Sequence, residues 1–412
     1  MLKKRKIAVT QAMITVLCCT GLAYADADGG RNDAFYTFGA GARSMGMGKA
    51  YSAVADTAEA MYWNPAGLMQ VQKMEVSTLS SDLFFGYKYN YSGIVWPMPD
   101  QVIAFHTASL SSPTFEGRDA SNVFTHDFTD AKSSMGGSFA TKLSPQLSLG
   151  FNYKNFARVL DTYSDTVTLI DGGVLYKANE SLRVGLSALN LVAMLDTSKT
   201  SDKFPLNLRA GAAYQVTDVL LLAFDLGDGL SHWYMGGEFQ LHPMLVLRGG
   251  INYDEFTWGV GLSVDPLFVD YSQGSMDLGN SSRFSVRFKI GGSTLEQKVE
   301  MAKKLNDTGV EAYQNGFYLS AFDHLAKALE LNPDNVKVKV RMDRVKQVVA
   351  IMPIDNLENE MKAFEAFQKS EKAYKDGNYG EAQQQVERAL KIYPANPSLY
   401  ILQQKIAEKM GK

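Results

Sequence analysis

The chain of 412 residues has only two cysteines, Cys18 and Cys19, both near its start. Beyond them there is no thiol for a disulfide, a thiolate metal site or a cysteine nucleophile. After the first two dozen residues no apolar run reaches the roughly 18 residues a transmembrane helix needs. Neither charge sign dominates: 41 Lys and Arg stand against 44 Asp and Glu, which gives no case for nucleic acid. The five histidines (106, 126, 232, 242 and 324) are scattered, and no HExxH, GxSxG or phosphate-loop pattern occurs. Gly46 and Gly48 form a GxG fragment without the strand and helix of a nucleotide unit. The expectation is a non-enzyme with no cofactor and no metal.

What is present begins with an export signal. Lys3-Lys4-Arg5-Lys6 is a basic region, Ile7 to Leu22 an apolar core, and Ala23-Tyr24-Ala25 a small-x-small cleavage site. Leu17 precedes Cys18 where lipidation requires a small residue, so a lipoprotein is not expected. After a polar, Gly-containing lead-in comes Gly41 to Leu68, rich in Gly, Ala, Ser and Met and ending in Trp63-Asn64-Pro65-Ala66-Gly67-Leu68. Small side chains let backbones pack closely in a confined space. Asn64-Pro65 forces a turn, because the residue before proline is pushed away from helix.

From about Met74 to Ile290 the apolar period becomes two. Phe256, Trp258, Val260, Leu262 and Val264 alternate with Thr257, Gly259, Gly261 and Ser263, and Phe284, Val286, Phe288 and Ile290 behave alike. Such runs are strands with one apolar and one polar face. Strands are expected to begin near Met74, Tyr87, Gln101, Lys132, Gln146, Tyr163, Leu182, Pro205, Val219, Ser231, Met244, Phe256, Leu267 and Arg283. Connections on one side are short and carry Pro, Asp or Asn: Pro97 to Asp100, Leu143 to Pro145, Ala178 to Glu180, Thr217-Asp218, His242-Pro243 and Asp265-Pro266. Long connections are expected only on the other side, at Ser111 to Ala131, Val192 to Phe204 and Gln273 to Ser282. Short turns opposite long loops, with an even strand count, is the rule for an outer-membrane barrel. A soluble sandwich or propeller would instead bury the apolar face against a second sheet or repeat a blade.

After Gly291-Gly292 the spacing turns helical. Ala312, Gly316, Tyr318, Ala321, Ala328 and Pro333 recur 61 residues later as Ala373, Gly377, Tyr379, Ala382, Ala389 and Pro394. Small Ala sits where paired helices approach, Gly ends the first helix and Pro follows the second, as in tetratricopeptide repeats. The spacing departs from 34 residues, and Val336 to Phe364 lacks the motif, so two helix pairs with helices between and after them are expected. A plain helical bundle is the alternative.

The stretch GARSMGMGKAYSAVADTAEAMYWNPAGL resembles the N-terminal signature of FadL/OMPP1/TodX-like outer-membrane proteins, within them the PorV/PorQ-type or UPF0164-type branch. The lead Phe38-Gly39-Ala40-Gly41-Ala42-Arg43 departs slightly from the aromatic-Gly-Gly-x-Arg pattern. The resemblance covers Ala34 to about Ile290. It implies a fourteen-stranded barrel with a hatch inside it, and in fatty-acid-type relatives a hatch that shifts to admit apolar ligands.

The organisation read from the sequence is therefore a cleaved signal (1–25), a hatch (26–72), an all-β outer-membrane barrel (73–292) and an all-α, tetratricopeptide-like domain (293–412) in the periplasm. Arg43 and Asp56 are charges in an apolar hatch, and Arg209, Glu238, Arg248, Arg287 and Lys289 are candidate partners, forming either a latch or a static network. Gly46, Gly48, Trp63, Asn64 and Pro65 complete the hatch set. Phe84, Phe85, Phe115, Phe124 and Phe128 are candidate apolar contacts in external loops, or loop core. Two functions stand open: transport of hydrophobic small molecules across the outer membrane, or a scaffold or secretion component binding a periplasmic or secreted protein through its repeats. Membrane lipid is the remaining expected partner.

Overall fold

A computed structural model describes residues 35–36, 38–196, 204, 206–227, 231–276, 279–350 and 357–411. The expected export signal and the lead-in after it lie outside the described residues. The chain divides into two compact units, Met1–Ser293 and Thr294–Lys412.

Fourteen antiparallel strands of the first unit close into a barrel. They are β1 (Met74–Asp82), β2 (Lys88–Pro97), β3 (Gln101–Ser111), β6 (Asp130–Ser144), β7 (Leu147–Leu160), β8 (Tyr163–Lys177), β9 (Leu182–Asp196) and β10 (Asn207–Thr217), then β11 (Leu220–Gly227), β12 (His232–His242), β13 (Leu245–Asn252), β14 (Phe256–Val264), β15 (Leu267–Met276) and β16 (Gly279–Ile290). The ring closes where β1 pairs with β16, from Met74 opposite Ile290 to Asp82 opposite Ser282. A strand alternates its faces, and β3 shows the result: residues are exposed and buried in strict alternation along its length. The outward series carries Trp96, Phe105, Phe151, Met235, Phe256, Leu262 and Phe284, all exposed. The inward series meets a polypeptide plug, described below.

The strand starts follow the alternation closely except at β16. The expected long connection from Gln273 to Ser282 is not a loop: β15 and β16 pair through it, from Gln273 opposite Ser282 to Met276 opposite Gly279. Gly274, Ser275, Asn280, Ser281 and Ser282 offer little apolar contrast between faces, so alternation is silent there. Strand β9 likewise runs to Asp196, past the expected end at Val192. Inside the Ser111–Ala131 connection the chain makes a separate hairpin, β4 (Phe115–Arg118) with β5 (Phe124–Phe128).

The second unit holds six helices: α3 (Thr294–Gln314), α4 (Tyr318–Leu331), α5 (Val336–Val349), α6 (Leu357–Lys375), α7 (Tyr379–Ile392) and α8 (Pro397–Lys409), taking α1 and α2 for two short helices of the plug. α3 with α4 and α6 with α7 are the two pairs that match at an offset of 61, with α5 between and α8 after. Ala312, Ala321 and Ala328, like Ala373, Ala382 and Ala389, are buried where the helices meet. Gly316 and Gly377 both have φ +79°, the left-handed conformation that ends a helix. Tyr318 and Tyr379 open the second helices and pack edge-on or tilted against Tyr313 and Tyr374. Pro333 and Pro394 fall in the turns after them. Asn335 and Asn396, also 61 apart, cap α5 and α8 by accepting from Val338 and Ser398 amides.

Candidate functional site: the hatch seated in the barrel lumen

The plug starts with α1 (Ala42–Gly46) and continues through α2 (Ala60–Trp63) to a 3-10 helix at Pro65–Gln70. Pro65 at its first position has φ preset for the helix, and Asn64 caps it by accepting from the Ala66 amide. The same Asn64 side chain donates to Ser52 O (2.8 Å) and to Val174 O on β8 (3.1 Å). One amide thus fixes the turn, an upstream hatch loop and the barrel wall. Trp63 is buried and donates to Ala40 O, tying the two ends of the hatch together.

Close seating is possible because the wall presents glycine where the hatch backbone passes. A Cβ at Gly150 would meet Pro65 C at 2.2 Å, at Gly185 Ser52 O at 2.3 Å, at Gly236 Met47 O at 2.1 Å, and at Gly250 Gly48 N at 2.1 Å. On the hatch side Gly48 has φ +64° and a Cβ there would lie 2.7 Å from Met235 O. Its amide donates to Thr257 Oγ1 (3.0 Å). Gly46 faces the Gly259 backbone, where a Cβ would sit 3.3 Å from the Gly259 Cα. Glycines inside strands weaken the sheet; here they make room for a second backbone.

Arg43 and Asp56 are partners of each other at 2.6 Å. Arg43 also donates twice to Glu238 on β12, at 2.8 and 3.0 Å, and once to Tyr51 Oη. Glu238 accepts from Arg248 (2.7 Å), Arg248 donates to Asp270 (2.8 Å), and Asp270 accepts from Arg287 (3.1 Å). Six alternating charges therefore run from the hatch across β12, β13, β15 and β16. Burial alone would push the Asp56 carboxyl up; the charges of Arg43 and then Arg183 outweigh it and hold the group below its usual range. The ladder borders a polar cavity of about 530 Å³ that also reaches Arg183, Asp218 and Lys289.

Of the candidate partners, Glu238 bonds Arg43 directly, while Arg248 and Arg287 join through the carboxylates between them. Arg209 and Lys289 do other work. Arg209 donates to Lys49 O and lies over the Trp63 and Tyr234 rings. Lys289 is 3.9 Å from Glu75, whose other oxygen accepts from the Ala58 amide. Several anchors carried no sequence signal. Asp225 accepts from the Tyr51 and Ser52 amides, Glu255 pairs with Lys49 at 2.9 Å, and Lys154 pairs with Asp171 at 2.8 Å. Each is one polar residue at an inward strand position, where polarity is the rule, so nothing marked it.

Between hatch and wall sits an aromatic cluster of Phe35, Tyr36, Tyr62, Tyr89, Tyr91 and Phe156, with His106 stacked on Tyr91. It encloses a cavity of about 10 Å³, also lined by Met61, Lys154 and Leu189, about the space of one water. Beside it the wall is irregular. The pairing of β8 with β9 jumps from Ile170–Val192 to Gly172–Ala188, and Asn190 has φ +58°. Its amide donates to Asp171 Oδ1 (2.8 Å). On the other edge, the pairing of β9 with β10 ends at Asn207–Leu189.

The five loop phenylalanines lie apart from this cluster. Phe84 and Phe85 open the turn 84–86, and Phe85 is exposed. Phe115 and Phe128 face each other across the β4–β5 hairpin with ring centroids 5.7 Å apart, and Phe124 is exposed on it. Among the described residues no group of three His, Cys, Asp or Glu is arranged to hold a metal ion.

Fold and site together define a fourteen-stranded antiparallel barrel whose lumen is filled by its own N-terminal hatch. No family model and no curated protein matches the chain. Solved structures similar to it include a CymD monoaromatic hydrocarbon channel (14% identity, 62% of this chain and 98% of that one, TM-score 0.47). Others are the Pseudomonas putida toluene transporter TodX (13%, 60% and 96%, 0.44) and a Pseudomonas aeruginosa FadL homologue (13%, 60% and 98%, 0.40). At these values the likeness decides neither family nor ligand, and the fold rests on the strand pairing itself.

Proposed function

We propose that the chain is an outer-membrane protein, FadL-like and of the PorV/PorQ type, that passes hydrophobic small molecules across the outer membrane. The observation that carries this reading is the aromatic cavity between hatch and wall, placed beside the interrupted β8–β9–β10 pairing. Its lining is apolar apart from His106, Ser134, Lys154 and tyrosine hydroxyls, as a site for an apolar ligand requires. At about 10 Å³ the cavity is the closed state; a ligand enters only when Met61 and Tyr62 of the hatch move. The exposed Phe85, Phe115 and Phe124 supply first contacts outside.

The outward apolar belt supports a membrane position for residues 73–292. The chain enters β1 and leaves β16 at the rim of short turns, which supports a periplasmic place for residues 293–412, as a tetratricopeptide-like domain. Uptake of N-phenyl-1-naphthylamine by cells carrying the full chain tests the reading. Ala108→Trp fills the cavity and is expected to abolish the uptake that the wild type confers, with heat-modifiable mobility confirming a folded barrel. Unchanged uptake sinks the route.

A second reading, an envelope scaffold or secretion component without transport, is favoured by how many points fasten the hatch. Deleting Thr294 to Lys412 separates the two: a transporter keeps its uptake, whereas a scaffold loses a protein captured with the full chain.

A further inference from the structure

The outward wall is not uniform. On β12, β13 and β14 the exposed side chains are apolar along the strand, as Met235 and Phe239, Leu247 and Ile251, and Phe256 to Val264 show. On β2 the outward series starts at Trp96, exposed at the short-turn rim, passes Ile94, and then becomes Ser92 and Asn90. The neighbouring strands change in register with it: Ser92 stands opposite Thr107 and Asn90 opposite Ser109 on β3, and Ser109 opposite Ser133 on β6. On the other side Ser92 Oγ donates to Thr78 Oγ1 of β1 (3.3 Å). With a rise of about 3.3 Å per residue and a tilt of about 40°, Asn90 lies roughly 15 Å above Trp96, inside an apolar band about 25 Å tall. The patch is also hollow: a cavity of about 450 Å³ opens over Asn90, Ser92, Thr107, Ser109 and Ser133. Small and hydroxylated residues are what membrane-embedded protein contacts use, because backbones approach closely and hydroxyls bond across.

We propose that this face binds a second copy of the chain, forming a twofold dimer within the membrane. The patch carries no ionised side chain. Its polar groups are Asn, Ser and Thr, each both donor and acceptor, so the same surface turned on itself can satisfy every one of them. A charged partner would leave its charge unpaired at membrane depth. The inference goes beyond the transport reading and does not depend on it.

The scarcity of cysteine makes the test direct. In a chain with Cys18→Ala and Cys19→Ala, Ser109→Cys is expected to give a species of twice the monomer mass with a short bis-maleimide in intact membranes. Leu247→Cys on β13 is expected to stay monomeric. Native mass spectrometry of the wild type should show dimer. In the triple variant Ser92→Leu, Thr107→Leu, Ser109→Leu, which suits lipid and should keep the barrel folded by heat-modifiable mobility, the dimer fraction should fall at least tenfold. A monomer in both assays, equal cross-linking from Leu247→Cys, a dimer that survives the leucines, or a cross-linked product containing a different protein would each overturn the proposal.

Discussion

Arg43→Ala tests whether the hatch is held by the ladder or by packing. Arg43 makes five short contacts, two to Glu238, two to Asp56 and one to the Tyr51 hydroxyl. Its loss leaves two carboxylates facing each other's field. Breaking a fully buried pair costs about 3–5 kcal/mol, but two features soften this case. The Asp56 side chain is 27% exposed and Glu238 18%, and Glu238 keeps Arg248 at 2.7 Å. A cost of about 2–4 kcal/mol follows, which at about 1.4 kcal/mol per tenfold is a rise of roughly 30- to 700-fold in the opening equilibrium.

The cost should fall on the hatch, since β12–β13–β15–β16 keep their backbone ladder and the Arg248–Asp270–Arg287 part of the charge chain. Amide hydrogen exchange of peptides covering residues 42–72 reads this opening directly, and strand peptides serve as the internal reference. Adding Asp56→Ala to Arg43→Ala should recover part of the loss, because it removes one stranded charge. Exchange within threefold of the wild type would show that the ladder holds nothing. Equal acceleration in hatch and strands would show that hatch and barrel open as one unit.

Three further predictions follow from particular contacts. Gly236→Ala and Gly150→Ala should destabilise the seated hatch by about 1–3 kcal/mol through overpacking, while Gly249→Ala, with nothing within 4 Å of its Cβ, should be neutral; equal effects in urea titration would contradict the glycine seat. Asn64→Ala strips the donors from Ser52 O and Val174 O and the cap from Ala66, an expected loss of about 1–3 kcal/mol, measured as faster exchange of residues 65–70. In the helical unit Glu360 accepts from the Leu319 and Ser320 amides, and burial nevertheless raises its carboxyl above the usual range. A raised folded value means stability that is fullest below the usual carboxylate range and lost as pH rises through the folded pKa. Glu360→Gln keeps the acceptor and should lose that slope, so the melting temperature of the helical signal should move in the variant's favour between about pH 4 and pH 7; a pH-independent difference would refute this.

The sequence by itself determined the number and order of the barrel strands, because a wall between lipid and lumen writes itself as period two, as in β14 and in β7. It also determined the turn at Asn64-Pro65 and the two helix pairs with Gly316 and Gly377 at their breaks, since backbone preference is local. It read Gln273 to Ser282 as a loop because alternation needs an apolar outward face, and those residues lack one. What only the tertiary structure decided is everything made by meeting at long range. The pairing of Arg43 with Glu238 spans 195 residues, and the fit of Gly48 against Gly250 depends on which strand the hatch backbone crosses. A lone inward Glu, Asp or Gly on a strand is unremarkable in one dimension; it becomes a hatch anchor only when closure of the barrel brings the N-terminal segment against it.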